Sequence, residues 1–378
     1  MRFDTINFHE KVKDQLVHSV RNGRVPHGIL FASTPGAGAL SLARAFAQFL
    51  LCRKPLDNDS CGECDSCKKS ELMIHPDIQY SFPVANTKEI KSKPKSDDFI
   101  APFRKAVLEN KYISLNDWIK VLELENKQLF ISVEESADIL RKINLKSFEG
   151  SYKIILMWIP EKMRIDASNK LLKIIEEPPD KTIFILISED YEQLLPTVRS
   201  RLQLIKIPPL KNEEIIQNLQ QDYQVEFVKA RNIAHLSAHN LNQAIAMALE
   251  EEFNNESEEY FLQWMRICLH PVANFKELQT MTEEIAARGR EGQKLFYAFA
   301  LETIRECMIK NYGPQEMVRF TEDHFKNIDK FAKVVNAKNL PLFVEYLNKA
   351  ISSIERNANP KILFIHISFK IFECLEMR

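Results

Sequence analysis

The sequence predicts an α/β domain with a parallel sheet, followed by an all-helical region. Two continuous apolar runs, residues 27–32 and 151–159, are typical of buried parallel strands, which carry apolar side chains on both faces. Apolar residues then recur at helical spacing over residues 39–51, so a strand, a turn and a helix follow one another. Only three of the nine glycines lie beyond residue 150, and the long apolar periodicity there predicts helices.

The length and charge of the chain narrow the classes of protein to which it can belong. Its 378 residues predict two or three domains, each large enough for its own core. The formal net charge of −1 gives no overall basic signal for nucleic acid or a membrane surface. No apolar run approaches the ~20 residues that cross a bilayer, and residues 1–5 lack the layout of a signal peptide. We therefore expect a cytoplasmic protein with no membrane partner.

The first predicted strand is followed by a turn with the outline of a phosphate-binding loop. A working P-loop reads G-x-x-x-x-G-K-[ST], where the lysine reaches the β/γ phosphates and the hydroxyl holds Mg²⁺. Gly36 and Gly38 supply glycines here, but the positions of the first glycine, the lysine and the hydroxyl hold Ser33, Ala39 and Leu40. Alanine and leucine can neither neutralise a triphosphate nor bind a cation. The turn therefore indicates an NTPase scaffold without its catalytic groups, and an ordinary glycine turn is the alternative.

The second predicted strand lacks the acid that an active P-loop ATPase carries at its tip to help hold Mg²⁺. The strand runs on into Trp158, Ile159 and Pro160, and the first acid is Glu161, beyond the proline. Both the lysine side and the acid side of an ATPase site are thus missing.

One helix and two more strands complete the predicted α/β domain. An amphipathic helix over residues 167–177 is stopped by two prolines. Residues 181–188 and 204–207 are further apolar strands, and the stiff pair Pro208-Pro209 ends the domain.

Four of the seven cysteines, Cys52, Cys61, Cys64 and Cys67, form the pattern C-x8-C-x2-C-x2-C. In a cytosolic chain, close cysteines favour a metal site over disulfides. Four thiolates can close a tetrahedral Zn²⁺ site and leave no open position for catalysis, so we predict a structural zinc ion.

Two alternatives stay open at these cysteines. The spacing C-x2-C-x2-C also begins ferredoxin-type iron–sulfur runs, but those continue to a further Cys-Pro three residues on, where this chain has Glu71. His75 could replace one cysteine as a ligand, although the following Pro76 places it in a turn. Four free thiols are the remaining interpretation.

Taken together, these features resemble the clamp-loader branch of the AAA+ family, most specifically the delta-prime branch of bacterial DNA polymerase III clamp loaders. The resemblance extends to about residue 250 and continues less specifically beyond it. It is carried by the H-G-I-L-F strand, the P-loop-like turn, the four cysteines, His75-Pro76-Asp77, the N-K-L-L-K-I-I-E-E-P-P helix and Ser200-Arg201.

The resemblance implies an ATPase-dead subunit that is not an enzyme on its own. Alignment from Asn169 places Trp158 and Ile159 where hydrolysing relatives carry the Walker-B Asp-Glu pair. It also places Gln243 where AAA+ lids often carry a sensor arginine. We therefore expect no bound ATP and a structural zinc ion as the cofactor.

The resemblance also implies a role for one arginine. In this family a Ser-Arg-Cys motif supplies an arginine finger to the ATP site of a neighbouring gamma/tau subunit, and this chain reads Ser200-Arg201-Leu202. A permanently charged, planar guanidinium can stabilise charge on a transferring γ-phosphate across an interface. The alternative for Arg201 is a salt-bridged surface arginine.

The predicted organisation has three parts. An α/β domain spans residues 1–208, with a zinc module at about 52–67 and an insertion at about 78–126. A helical lid covers residues 209–250 and a helical collar residues 251–378. In the last helix, Ile362, Ile365, Phe369 and Phe372 fall on one helical face, which Leu363 and Ile367 widen. We therefore expect this helix to be buried inside the domain or against another subunit.

The family implies gamma/tau and delta subunits as partners in a hetero-pentamer that acts on the sliding clamp and primed DNA. Two other functions compete with this hypothesis. One is an active AAA+ clamp-loader ATPase, against which the missing lysine and acids argue. The other is a zinc-containing nucleic-acid-binding adaptor. The short basic run of residues 88–95 is a weak signal for DNA, and we interpret it as a solvated loop.

Overall fold

The structure, a computed structural model, contains two compact units, Met1–Ala246 and Met247–Arg378. It describes all residues except 88–89, 91, 125–127, 145–148, 150, 238, 250–252, 314–330 and 378. The three-part division at residues 208 and 250 stays a prediction.

The first unit is built on a parallel sheet, as the apolar runs predict. Its strands are β1 (Gly28–Ala32), β2 (Ile78–Ser81), β3 (Lys153–Trp158), β4 (Thr182–Ser188) and β5 (Gln203–Lys206). They are ordered β2-β3-β4-β1-β5, with Gly28 opposite Phe184 and Ile29 opposite Gln203. Strands β1 and β4 are buried along their whole length, and β5 is an edge strand that exposes most of its residues. A sheet covered on both faces needs apolar side chains on both, which is why these strands read as continuous apolar runs.

Helices cover the sheet and extend beyond it. Those of the first unit are α1 (Glu10–Arg21), α2 (Ala39–Leu51), α3 (Asp65–Glu71), α4 (Ile100–Glu109), α5 (Leu115–Val121), α6 (Val133–Ile143), α7 (Ile165–Glu176), α8 (Pro196–Arg199), α9 (Asn212–Tyr223) and α10 (Phe227–Leu236). Helix α11 (Leu241–Leu249) crosses the boundary between the units.

Two layers of helices sandwich the sheet. On one face Leu30 and Phe184 pack with Ile139 of α6 and Leu171 of α7 in a fully buried cluster. On the other face the ring of Phe31 lies 6.5 Å from that of Phe46 in α2. Every residue of α2 is buried. The helix predicted from apolar spacing therefore lies in the core.

The insertion between β2 and β3 is folded and packed against the sheet. Phe103 of α4 stacks on Phe82 with ring centroids 3.8 Å apart, and Trp118 of α5 meets both rings edge-on. Phe103 also lies 5.6 Å from Trp158 at the end of β3. The end of β3 is thus covered by an aromatic cluster to which the insertion contributes Phe103 and Trp118. The basic run of residues 88–95 lies partly outside the described residues.

The second unit is helical throughout its described part, which confirms the predicted class. Its helices after α11 are α12 (Phe253–Leu269), α13 (Phe275–Ala287), α14 (Gly289–Tyr312), α15 (Leu340–Glu355) and α16 (Pro360–Glu376). The predicted face of α16 is buried in part within the unit, because Ile367 is buried along with Phe364 and Ile371, whereas Ile362 is 70% exposed. The Trp264 ring stacks on Phe364, and its Nε1–H donates to Ser368 Oγ at 2.8 Å. This contact selects the buried face of a helix that is apolar almost all round.

Among the described residues, no helix combines the length and the apolar character needed to span a bilayer.

Candidate functional site

The glycine turn between β1 and α2 adopts the outline of a phosphate loop. Gly36 has φ 77° and Gly38 has φ 73°, a left-handed conformation that glycine adopts without steric cost. The helix begins directly after Gly38, at the position where a P-loop lysine would stand and where this chain has Ala39. The backbone geometry is therefore present and the cationic side chain is not.

The space above this turn is narrow. The cavity there has a volume of about 20 Å³, room for about one water molecule. Its wall includes Thr34 and Ser41 from the turn and helix, Lys111 and Tyr112 from the insertion, and Trp158 from β3.

Residues 111–113 of the insertion line this cavity above the turn. The hydroxyl of Ser41 donates to the carbonyl oxygen of Lys111. The Tyr112 ring lies 5.6 Å from that of Phe8, which in turn packs so closely on Gly38 that a Cβ there would come within 2.7 Å of it. Two aromatic rings and a backbone segment thus cover the turn.

Lys111 and Tyr112 of this segment also contact α9, the first α-helix after β5. Lys111 Nζ forms an ion pair of 2.6 Å with Asp222 Oδ2 of α9. Asn218 Nδ2, one turn earlier in α9, donates to the Tyr112 hydroxyl at 3.4 Å. Burial raises the pKa of Tyr112, so its phenol stays protonated at neutral pH. The insertion therefore connects the turn to the predicted lid.

A second contact joins the turn to the lid directly. The N–H of Leu241 donates to Gly36 O at 3.2 Å, and a Cβ on Gly36 would lie only 2.0 Å from Asn240 Oδ1. The predicted sensor position, Gln243, lies in the same stretch, where its N–H donates to Asn240 Oδ1. His9 Nε2 bonds Ala37 O at 2.8 Å, and burial lowers the pKa of His9, so we infer a neutral ring that donates this bond.

Strand β3 ends at Trp158, and Ile159 and Pro160 follow it. Trp158 is buried, and Ile159 has the left-handed conformation φ 53°, ψ 57°, which is strained for a β-branched residue. Glu161 is held away at the end of β4, where it accepts bonds from Ser188 Oγ and the Glu189 N–H. Burial, together with the Glu161 carboxylate, raises the pKa of Glu189 to about 7.

The four predicted cysteines come together. Their sulfur atoms all lie within 4.8 Å of one another. The Cys52 and Cys61 sulfurs are 3.6 Å apart, and those of Cys61 and Cys67 are 3.9 Å apart. A tetrahedral zinc site with Zn–S bonds of about 2.3 Å separates its sulfurs by about 3.8 Å. The cluster could therefore hold a metal ion of this kind.

The surroundings of these sulfurs lower the pKa of two thiols, Cys61 and Cys64, whereas burial raises the pKa of Cys52. The Cys61 N–H points to Cys52 Sγ at 3.3 Å, and the Cys64 N–H to Cys61 Sγ at 3.4 Å. Partial burial raises the pKa of Cys64, but backbone N–H groups and the neighbouring thiols outweigh it and lower that pKa to about 6. Burial raises the pKa of Cys67. Bound metal would replace the remaining protons of the set.

His75 does not belong to the cysteine cluster. Its Nε2 lies 3.0 Å from Ser66 Oγ, and its Nδ1 accepts from the N–H of Asp77 at 3.1 Å. Ser66 also donates to Leu51 O, which joins α3 to the end of α2. The histidine therefore holds the cluster's supporting helix rather than an ion.

Arg201 lies on the surface just before β5, and its side chain is 29% exposed. Its Nε donates to Glu176 Oε2 at 2.7 Å and its Nη1 to Thr197 O at 2.7 Å. The neighbouring Arg199 instead lies over the ring of Tyr191. Nothing in the pattern around Arg201 pointed to Glu176, which is 25 residues earlier in the chain. Lys111 and Tyr112 were missed for the same reason, since no motif marks them.

Comparison with known proteins matches this chain to subunits of DNA polymerase III. Residues 8–211 match the family model described as DNA polymerase III, delta subunit. DNA polymerase III subunit delta' of Escherichia coli (strain K12) is 27% identical over 198 residues, which cover 52% of this chain and 46% of that protein. The corresponding protein of Bacillus subtilis (strain 168) is 25% identical over 244 residues, 64% of this chain and 60% of that protein.

A related subunit also matches. DNA polymerase III subunit tau/gamma of Haemophilus influenzae is 22% identical over 373 residues, which cover 93% of this chain and 47% of that protein. The chain thus spans about half the length of the curated relatives it matches.

Substitution of Gly36 tests how tightly the turn is closed. We expect Gly36→Ala to lower the free energy of unfolding by more than the ~1–2 kcal/mol of a left-handed alanine, because its Cβ would also collide with Asn240. Gly23→Ala is the matched control, since Gly23 has φ +62° and open space around it. Urea denaturation of both variants gives the comparison, and equal losses would contradict the close contact.

Proposed function

Because the chain belongs to this DNA polymerase III family, whose curated relatives are delta' and tau/gamma subunits, we propose that it is a delta'-type clamp-loader subunit that does not hydrolyse ATP. It acts in the cytoplasm with gamma/tau and delta subunits in a hetero-pentamer that opens the sliding clamp and places it on primed DNA. The observation that carries the proposal is what we call the filled turn: residues 111–113 line a cavity of only about 20 Å³ above it, and the carbonyl oxygen of Lys111 accepts from the Ser41 hydroxyl.

The filled turn opposes the alternative of an active ATPase. Hydrolysis needs a lysine and a hydroxyl on the loop and an acid at the strand tip. This chain offers Ala39, Leu40 and Trp158 at those places, and the cavity beside them holds about 20 Å³. A nucleic-acid-binding adaptor is disfavoured by the net charge of −1, because DNA binding depends on neutralising phosphates with Lys and Arg.

The chemical contribution of the subunit is Arg201, supplied to the ATP site of a neighbouring gamma/tau subunit. Its guanidinium is partly exposed and keeps N–H donors that are not used by Glu176 or Thr197. Such a cation stabilises the charge that develops on the γ-phosphoryl group during transfer. The subunit therefore assists hydrolysis without performing it.

Zinc is the metal we propose for the cysteine cluster. The sulfur separations of 3.6 and 3.9 Å fit a tetrahedral site, and four thiolates leave no position for a water or substrate. The role is structural: the ion would join the end of α2 to α3 through Cys52 and the three later cysteines.

A repaired loop should still fail to bind nucleotide. We expect Ala39→Lys/Leu40→Thr to show no MgATP binding by isothermal titration calorimetry, because residues 111–113 still line a narrow cavity above the turn. The unmodified chain is the control and should also be silent. Heat of binding from the unmodified chain would overturn the proposal that this subunit is free of nucleotide.

Metal analysis tests the cysteine cluster. We expect about one zinc per chain by mass spectrometry of the purified protein, and loss of zinc and stability in Cys64→Ser. Buried Cys268→Ser is the control, since it lies outside the cluster and should keep its zinc. Zinc should leave as the pH falls, because protons compete for the thiolates. Iron with sulfide absorption, or a stable metal-free protein, would refute the zinc assignment.

Reconstitution tests the role in clamp loading. With gamma/tau, delta, clamp and primed DNA, we expect Arg201→Ala to assemble normally and to lower ATP turnover by about tenfold or more, because an arginine finger contributes about 10³-fold or more at the site it serves. Arg199→Ala is the neighbouring control and should keep turnover. Unchanged turnover for Arg201→Ala would return Arg201 to a surface ion pair, and failure of the unmodified chain to assemble would contradict the clamp-loader role.

A further inference from the structure

We propose that Glu176 is a positioning residue for Arg201, which it holds in the orientation that a neighbouring ATP site requires. The inference rests on the proposed function of Arg201. The supporting contact is the 2.7 Å hydrogen bond from Arg201 Nε to Glu176 Oε2, together with the bond of the same length from Nη1 to Thr197 O.

These two bonds use one part of the guanidinium and leave the rest available. A guanidinium carries five N–H donors in a fixed plane. Two of them are engaged by Glu176 and Thr197, so three remain without a hydrogen bond to the described residues. With the side chain 29% exposed, these donors can meet an anionic oxygen of another molecule while the pair with Glu176 stays intact.

The backbone that carries Arg201 is fixed as well. Val198 and Leu202, on either side of it, are buried in the cluster under α6 and α7. Leu202 packs against Gly28 of β1, where a Cβ would come within 2.7 Å of its side chain. The Cα of Arg201 is therefore anchored in the core, and Glu176 fixes what the backbone leaves free, the long flexible side chain.

The place of Glu176 in its helix is unfavourable for the helix itself. Glu176 is the last residue of α7, where the partial negative charge of the helix C-terminus repels a carboxylate. An exposed ion pair also contributes little to folding stability. A contribution to stability therefore does not account for this carboxylate, whereas orientation of Arg201 does.

Orientation matters because a charged side chain must reach the reacting phosphate in one geometry. A free arginine samples many rotamers, and a displacement of about 1 Å can cost about 10²-fold in rate. A carboxylate that already holds Nε removes most of these rotamers before the subunits meet.

The test uses the assembled complex with clamp and primed DNA. Glu176→Gln keeps the shape and one acceptor but removes the charge. We expect it to lower kcat for ATP by about threefold or more without changing KM or assembly. The matched control is Glu177→Gln, because Glu177 is adjacent, exposed and outside the ion pairs of the described residues, and it should leave kcat unchanged. Arg201→Lys should not restore the wild-type rate, since a point charge cannot bond Glu176, Thr197 and a phosphate together.

A double variant separates positioning from an independent effect. If Glu176 acts through Arg201, Glu176→Gln/Arg201→Ala will have the turnover of Arg201→Ala alone. Additive losses, loss of assembly with Glu176→Gln, or an unchanged kcat for Glu176→Gln beside a lowered kcat for Arg201→Ala would each overturn the positioning role and leave the proposed function standing. An unchanged kcat for Arg201→Ala itself would overturn both.

Discussion

The packing of residues 111–113 between the glycine turn and α9 is the contact on which the first unit depends. It narrows the space above Gly38, receives the Ser41 hydroxyl, and carries Lys111 to its ion pair with Asp222. In a nucleotide-binding protein, a bound ligand can join a base and a lid. Here Lys111 connects the turn side to α9 through its contacts with Ser41 and Asp222.

The remaining features are arranged around this closed centre. The aromatic cluster of Phe103, Trp118 and Trp158 seals the strand tip, and the left-handed Ile159 turns the chain away from it. The two other candidate sites, Arg201 and the cysteine cluster, lie elsewhere in the first unit. Arg201 stands beside the edge strand, and the cysteine cluster lies at the far end of α2, next to α3.

Several elements of the fold could be predicted from short stretches of the sequence. Strands β1 and β4 and helix α2 lie within one residue of their predicted bounds, because burial on both faces leaves a continuous apolar run and a helix leaves a 3.6-residue period. The cysteines were found because their spacing is itself a ligand pattern. The contacts of Lys111 and Glu176 could not be predicted, since each joins residues far apart in the chain through tertiary packing. The apolar residues of α16 extend over much of its surface, so the sequence could not show that Phe364 is the residue that packs on Trp264.

The filled turn has an evolutionary consequence. Under the proposed function, recovery of hydrolysis would require at least a lysine at position 39, a hydroxyl at position 40 and an acid at the strand tip. None of these changes gives a benefit until the others are present, and each early step disturbs a packed core. Because several changes are needed together, the proposed division of labour with a hydrolysing neighbour would be hard to reverse.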